Sequence, residues 1–183
     1  MPILRAVGQL CLVLLDRSNI VVTATVAAFV LYTRSAGMAY FALSSVACAM
    51  VAKGLKLVVR QARPAAELVM ARRVKKSYGM PSTHSAVATF QCIYGVLASL
   101  YLPIHPSLPL RESDRWLPVL IIVPWAVSII VSRIQMGYHT WPQVLAGISC
   151  GVPSAVLAFS AWTSGLNVHG QQLERLIASY ISA

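Results

Sequence analysis

With 183 residues, 57% of them hydrophobic and only 11% charged, and a mean hydropathy of +0.69, the chain is too apolar for a soluble domain, whose surface must be wetted. Its apolar runs are continuous and do not alternate with a period of two, which excludes a barrel and predicts an all-α integral membrane bundle forming one domain over residues 1–183. Fifteen Lys and Arg against five Asp and Glu give a formal charge of +10, so the partner is anionic; the position of the basic cluster between apolar runs argues against nucleic acid and for lipid headgroups or a phosphorylated substrate.

Residues 6–15 form an apolar run closed by Asp16 and Arg17, too short to span. Only Arg5 precedes it and no Ala-x-Ala-like site follows, so it reads as a short interfacial helix and not a signal-peptide core. Ser18 or Asn19 is expected to cap a first span over 19–33; Arg34 to Gly37 turn the chain, and residues 38–59 make a second span. About twenty residues at 1.5 Å rise cross the hydrocarbon, so the second span fits well and the first marginally.

Eight of the fifteen cations fall between Lys53 and Lys76. Lys53, Lys56, Arg60 and Arg63 are spaced by three, four and three, which at about 100° per residue places them within roughly a quarter of the helix circumference as one basic face. Lys53 is expected to snorkel to the interface. Arg63 precedes Pro64, which disfavours helix, so its guanidinium is expected to leave the helix and turn toward a ligand.

After a polar loop over 65–80, the stretch Tyr78-Gly-Met-Pro-Ser-Thr-His-Ser85 opens a third span over 82–103. Pro81 suits a first helical turn, Ser82 and Thr83 offer hydroxyls, and the free N–H groups of a helix start attract anions. The alternative is an ordinary helix start with His84 as a satisfied polar residue. A fourth span runs from Trp116 to Ile134 and a fifth from Trp141 to Trp162, with Arg133 and His139 flanking the turn between them. Residues 163–183 carry Leu173, Leu176, Ile177 and Tyr180 at helical spacing and read as an amphipathic surface helix; His105 reads as solvated in the loop before the fourth span, and His169 has no evident partner. The four cysteines are scattered singly and read as small buried hydrophobes.

Alternating span directions bring Lys56 to Arg63, Ser82 to His84, Arg133 and His139 to one membrane face. The carboxylate that the sequence offers there is Glu67 alone. Magnesium-dependent phosphatases, aspartyl-phosphate enzymes and two-metal hydrolases need carboxylates, so metal-free phosphoryl transfer to histidine is the chemistry left.

Lys56-x6-Arg63-Pro64, Pro81-Ser-Thr-His84 and Ser132-Arg133-x5-His139 together resemble the three-part signature of the type 2 phosphatidic acid phosphatase superfamily, which includes the vanadium haloperoxidases; the resemblance covers residues 53 to about 150. Within it, Tyr-Gly-Met-Pro-Ser-Thr-His-Ser and Tyr-His-Thr-Trp-Pro-Gln-Val-Leu-Ala-Gly are similar to the dolichyl diphosphate phosphatases of the endoplasmic reticulum. The resemblance implies His139 as nucleophile, His84 as the acid and base for leaving oxygen and water, Lys56, Arg63 and Arg133 as ligands of the phosphate oxygens, and Ser82, Thr83 and neighbouring N–H groups as further donors, with no cofactor.

One position departs from the wider pattern, which has an Asp four residues after the nucleophilic histidine: here it is Gln143. Gln143 either orients His139 through the other ring nitrogen or closes a capping box with Thr140. The expected activity is hydrolysis of a polyprenyl diphosphate to the monophosphate. The alternatives are a general lipid phosphate phosphatase acting on phosphatidate, lysophosphatidate or sphingoid phosphate, and a catalytically silent lipid-phosphate binder. The positive-inside rule puts the basic face in the cytoplasm, whereas the dolichyl-type resemblance implies a lumenal site; oligomeric state is left open.

Overall fold

The computed structural model of the chain describes residue 11, residues 13–64 and residues 77–181. Most of the expected interfacial helix and most of the polar loop, Glu67 included, lie outside the described residues. The chain forms α1 (Ser18–Thr33), α2 (Ala36–Val59), α3 (Thr83–Tyr101), α4 (Leu117–Gln135), α5 (Trp141–Ala161) and α6 (Asn167–Ile181), with no strand among the described residues. The fold is all-α, a helical membrane bundle.

Three stretches, Ala36–Val59, Glu112–Gln135 and Trp141–Ile177, are long and apolar enough to cross a membrane, and α1 is a shorter apolar helix. The third expected span, α3, is not among them. It carries Thr83, His84, Ser85, Thr89 and Gln91, and it can do so because α2, α4 and α5 pack around it and take the lipid-facing positions.

The closest packing is between α3 and α5, where small residues let two backbones meet. A Cβ on Gly147 would stand 2.6 Å from the Ser82 carbonyl oxygen, and one on Gly151 would stand 2.4 Å from that of Ala86. Larger side chains there would push the start of α5 off the start of α3. At the other end of the bundle Tyr40, Phe41, Phe90, Tyr94 and Phe159 form a ring cluster, with Trp162 stacked on Tyr40 at 5.0 Å between centroids.

Several local expectations are corrected. Neither Ser18 nor Asn19 caps α1, whose cap position is Arg17 without a side-chain bond. The turn after α1 is only Arg34 and Ser35, because Ser35 Oγ accepts from the Gly37 N–H and starts α2 at Ala36. Pro81 precedes the Ser82 cap and lies outside the first turn of α3, joined to Met80 by a cis peptide. The four-cation face does not persist either. The helix ends at Val59, Arg60 is a left-handed cap that bonds back to the Leu57 carbonyl, and of the cations still on α2, Lys56 is buried and Lys53 exposed.

The tail forms a helix as expected, reached through a π-type turn at Trp162–Leu166 in which Gly165 takes φ 135°, a value that favours glycine. Leu173, Leu176, Ile177 and Tyr180 are exposed, and the Glu174 carboxylate accepts from the Ala36 N–H, tying α6 to the start of α2.

Candidate active site

Two helix ends and two loop segments build the site. At the end of α4, the His139 backbone N–H donates to the Arg133 carbonyl and Gly137 takes φ 73°, which folds the connection tightly enough to set His139 just before α5. The first turn of α5 is capped reciprocally by Thr140 and Gln143. Ser82 caps α3 and donates its own N–H to the Gln143 carbonyl at 2.9 Å, so the two helix starts lie side by side. That bond places Thr83 and His84, the first two residues of α3, beside the start of α5; both are half-buried.

His139 is 4% exposed, and each ring nitrogen has a defined neighbour. Nδ1 lies 3.0 Å from Gln143 Oε1, and Nε2 lies 3.2 Å from Arg63 Nη1. A guanidinium has only protons to offer, so it meets a ring nitrogen through that nitrogen's lone pair. The compatible tautomer carries its proton on Nδ1, donates it to Gln143 and leaves Nε2 with the lone pair on the Arg63 side.

The orientation of the Gln143 amide follows from its other contacts. Oε1 also accepts from the Thr140 N–H at 3.4 Å, while Nε2 donates to the Ala62 carbonyl at 2.8 Å. Orienting His139 and capping the helix are therefore not exclusive: one oxygen does both. Gln143 is 1% exposed, and Gly79 lies flat against its amide, so close that a Cβ there would fall 2.4 Å from Nε2.

Arg63 leaves α2 as expected. Nε donates to the Ser77 carbonyl at 2.7 Å, Nη2 to Ser77 Oγ at 3.0 Å, and Nη1 to the Tyr138 carbonyl at 3.0 Å besides facing His139. Burial pulls its guanidinium below the ordinary arginine value. Lys56 Nζ donates to the Tyr78 carbonyl at 3.1 Å, and the Gly79 N–H donates to the Gln61 carbonyl, so the basic segment and the segment before His84 are stitched together.

Arg133 is 1% exposed, with Nε and Nη2 donating to Ser132 Oγ and Nη2 also donating to the Leu15 carbonyl. Among the described residues its Nη1 has no hydrogen-bond partner, a costly state for a buried donor unless an anion meets it. Ser82 differs from its expected place. Its hydroxyl is fully buried and accepts from the Ser85 N–H and hydroxyl, and its N–H is engaged by Gln143, so it shapes the helix start from within.

The sequence reading missed Asp16, whose Oδ1 accepts from Tyr138 Oη at 2.6 Å. A carboxylate other than Glu67 thus lies at this face. The signal was present: a chain that ends its second span at the site must begin its first span there too. Among the described residues no group of three or more His, Cys, Asp or Glu side chains is placed to hold a metal ion.

The PAP2 superfamily model matches residues 36–164. Human Dolichyldiphosphatase 1 is 38% identical over 111 residues, covering 59% of this chain and 44% of the human protein, and the mouse protein of the same name is 36% identical with the same coverage. Human Sphingosine-1-phosphate phosphatase 2 is 28% identical over 110 residues, 59% of this chain and 26% of that protein. The chain spans less than half the length of these curated relatives. The fold is similar to the crystal structure of a transmembrane PAP2-type phosphatidylglycerolphosphate phosphatase from Bacillus subtilis, with a TM-score of 0.66 at 23% identity over 90% of this chain and 79% of that one. The match begins at the first residue of α2, ends past α5 and includes every residue of the three motifs, and on that ground the chain belongs to the PAP2 superfamily.

Proposed function

We propose that the chain is a metal-independent lipid phosphatase that hydrolyses a polyprenyl diphosphate of the dolichyl type to the monophosphate, in the endoplasmic reticulum membrane. The observation that carries the chemistry is His139 held between Gln143 and Arg63, with Nδ1 on an acceptor and Nε2 facing a cation at the spot where a phosphate would arrive. The name shared by the relatives at 36–38% identity supports the substrate class.

In this reading a terminal phosphate draws Arg63 Nη1 off Nε2, and Arg63, Arg133 and Lys56 hold its equatorial oxygens. The Nε2 lone pair forms the N–P bond as the bridging P–O bond breaks. His84 protonates the departing monophosphate oxygen, then takes a proton from the water that attacks the phosphohistidine; inorganic phosphate leaves and both histidines return to their starting states. Gln143 holds the proton on Nδ1 throughout, and Ser82 and Thr83 shape the helix start beside the phosphate. A second reading, a general lipid phosphate phosphatase, is favoured by the similarity to Sphingosine-1-phosphate phosphatase 2.

Phosphate release by the purified protein in EDTA from dolichyl diphosphate, farnesyl diphosphate, phosphatidate, lysophosphatidate and sphingoid phosphate tests both. The diphosphates are expected to be the preferred substrates. Preference for a monoester moves the assignment to the second reading, and activity that EDTA abolishes and magnesium restores removes the mechanism.

A further inference from the structure

The Arg133 guanidinium is gripped by a segment outside the family-matched region. Leu15 accepts from Nη2 through its backbone carbonyl, while the Tyr138 ring lies beneath the guanidinium, 5.4 Å from centroid to carbon. The ring is pinned at its far end, where Tyr138 Oη donates to Asp16 Oδ1 at 2.6 Å. Burial, reinforced by Asp16, pushes the Tyr138 phenol up to about 12, so it stays a donor at neutral pH. Two consecutive residues, Leu15 and Asp16, thus hold one arginine, one directly and one through a ring.

The indirect route has a chemical reason. A carboxylate in direct contact with Arg133 would take its donors as a bidentate pair and compete with substrate phosphate. Placed behind the phenol, Asp16 fixes the ring and lends a stabilising charge while leaving Nη1 without a partner among the described residues. Tyr138 serves the other arginine as well, since its carbonyl accepts from Arg63 Nη1.

We propose that Asp16 and Tyr138 are positioning residues of the phosphate site, whose hydrogen bond holds the Tyr138 ring under Arg133 and keeps that guanidinium in the orientation that leaves Nη1 for a phosphate oxygen. The proposal rests on the reading of Arg133 as a phosphate ligand. It makes the segment before α1 part of the site, although the matched region starts at residue 36.

Vanadate inhibition, KM, kcat and melting temperature of the full chain, measured for Tyr138→Phe, Asp16→Ala, the double variant, Asp16→Asn and Arg133→Ala, test it. Tyr138→Phe and Asp16→Ala are each expected to weaken vanadate inhibition about tenfold and to raise KM more than they lower kcat. The double variant is expected to be no worse than the worse single one, because both remove one bond. Asp16→Asn keeps an acceptor for the phenol and is expected to retain most of the inhibition, which also covers the case in which Asp16→Ala fails to fold. Unchanged vanadate inhibition in the single variants, or losses that add in the double, overturns the proposal even if Arg133→Ala loses inhibition. Unchanged inhibition in Arg133→Ala overturns the phosphate-ligand reading and this proposal with it.

Discussion

Arg63 and Arg133 carry the same charge to the same site, yet the loop holds the first and the end of α4 holds the second in opposite ways. Arg63 is half-buried, and every one of its nitrogens meets a protein acceptor, among them the His139 ring. Arg133 is buried, reaches Ser132 and Leu15 from one side, and leaves Nη1 without a partner among the described residues. The contrast separates two tasks. Arg63 touches His139, and in the proposed mechanism it exchanges that contact for phosphate when substrate arrives. Arg133 is fixed in advance, so its donor already lacks a competitor.

The comparison is broken most directly by removing each arginine in turn. Arg63→Ala is expected to lower kcat about a thousandfold and Arg133→Ala about a hundredfold, since Arg63 would hold the phosphate right beside Nε2 and also ties Ser77 and Tyr138 together, whereas Arg133 would supply a donor alone. Steady-state kinetics with a lipid diphosphate check this, and equal losses would show that the place of Arg63 beside His139 has no catalytic weight. Arg63→Lys is expected to recover little, because one ammonium cannot span Ser77, Tyr138 and His139.

A smaller effect sharpens the loop side. Gln143→Glu restores the negative charge that the wider family pattern has near this histidine, but it replaces the donor that Ala62 accepts at 2.8 Å with an oxygen. Two acceptors face to face repel, so turnover is expected to fall about tenfold to a hundredfold, as for other lost supporting contacts around a reactive group. Wild-type or higher turnover in this variant would show that the Ala62 bond does not matter. Gly79→Ala forces a methyl group into the same amide and is expected to cost about tenfold in turnover with a modest fall in melting temperature.

The smallest effect on chemistry belongs to the far end of the bundle. Trp162 is 9% exposed and stacks on Tyr40, and a Cβ on Gly170 would stand 2.7 Å from its ring. Trp162→Ala is expected to cost about 3 kcal/mol of stability, read as melting temperature, and to leave turnover per folded molecule unchanged. Lost turnover at unchanged stability would show coupling across the bundle.

Much of this was legible in the residues themselves. Helix positions followed from apolar runs bounded by Arg34, Pro103 and the His139 turn, because a run of about twenty apolar residues has few alternatives in a membrane. The meeting of the three motifs was legible because each occupies one helix end and alternating directions bring the ends to one face. Gln143 was legible as a choice between two roles but not as both, since a shared oxygen is a matter of geometry. That Asp16 lies at this face was legible from the alternation of the spans, but its task was not: it acts through Tyr138, 122 residues away, and nothing local to it signals that partner. The Ser82 hydroxyl was placed toward phosphate by its motif, whereas the helix start at Thr83 turns it inward as a cap.

The central claim, metal-free transfer of phosphate to a histidine held by Gln143 and Arg63, is tested most directly by rapid-quench trapping with a phosphorus-labelled lipid diphosphate in EDTA. An acid-labile, base-stable phosphoryl adduct is expected that maps to His139 by mass spectrometry, forms no slower than turnover and is absent from His139→Ala. Full turnover by His139→Ala, or an adduct on another residue formed at the rate of turnover, would contradict it.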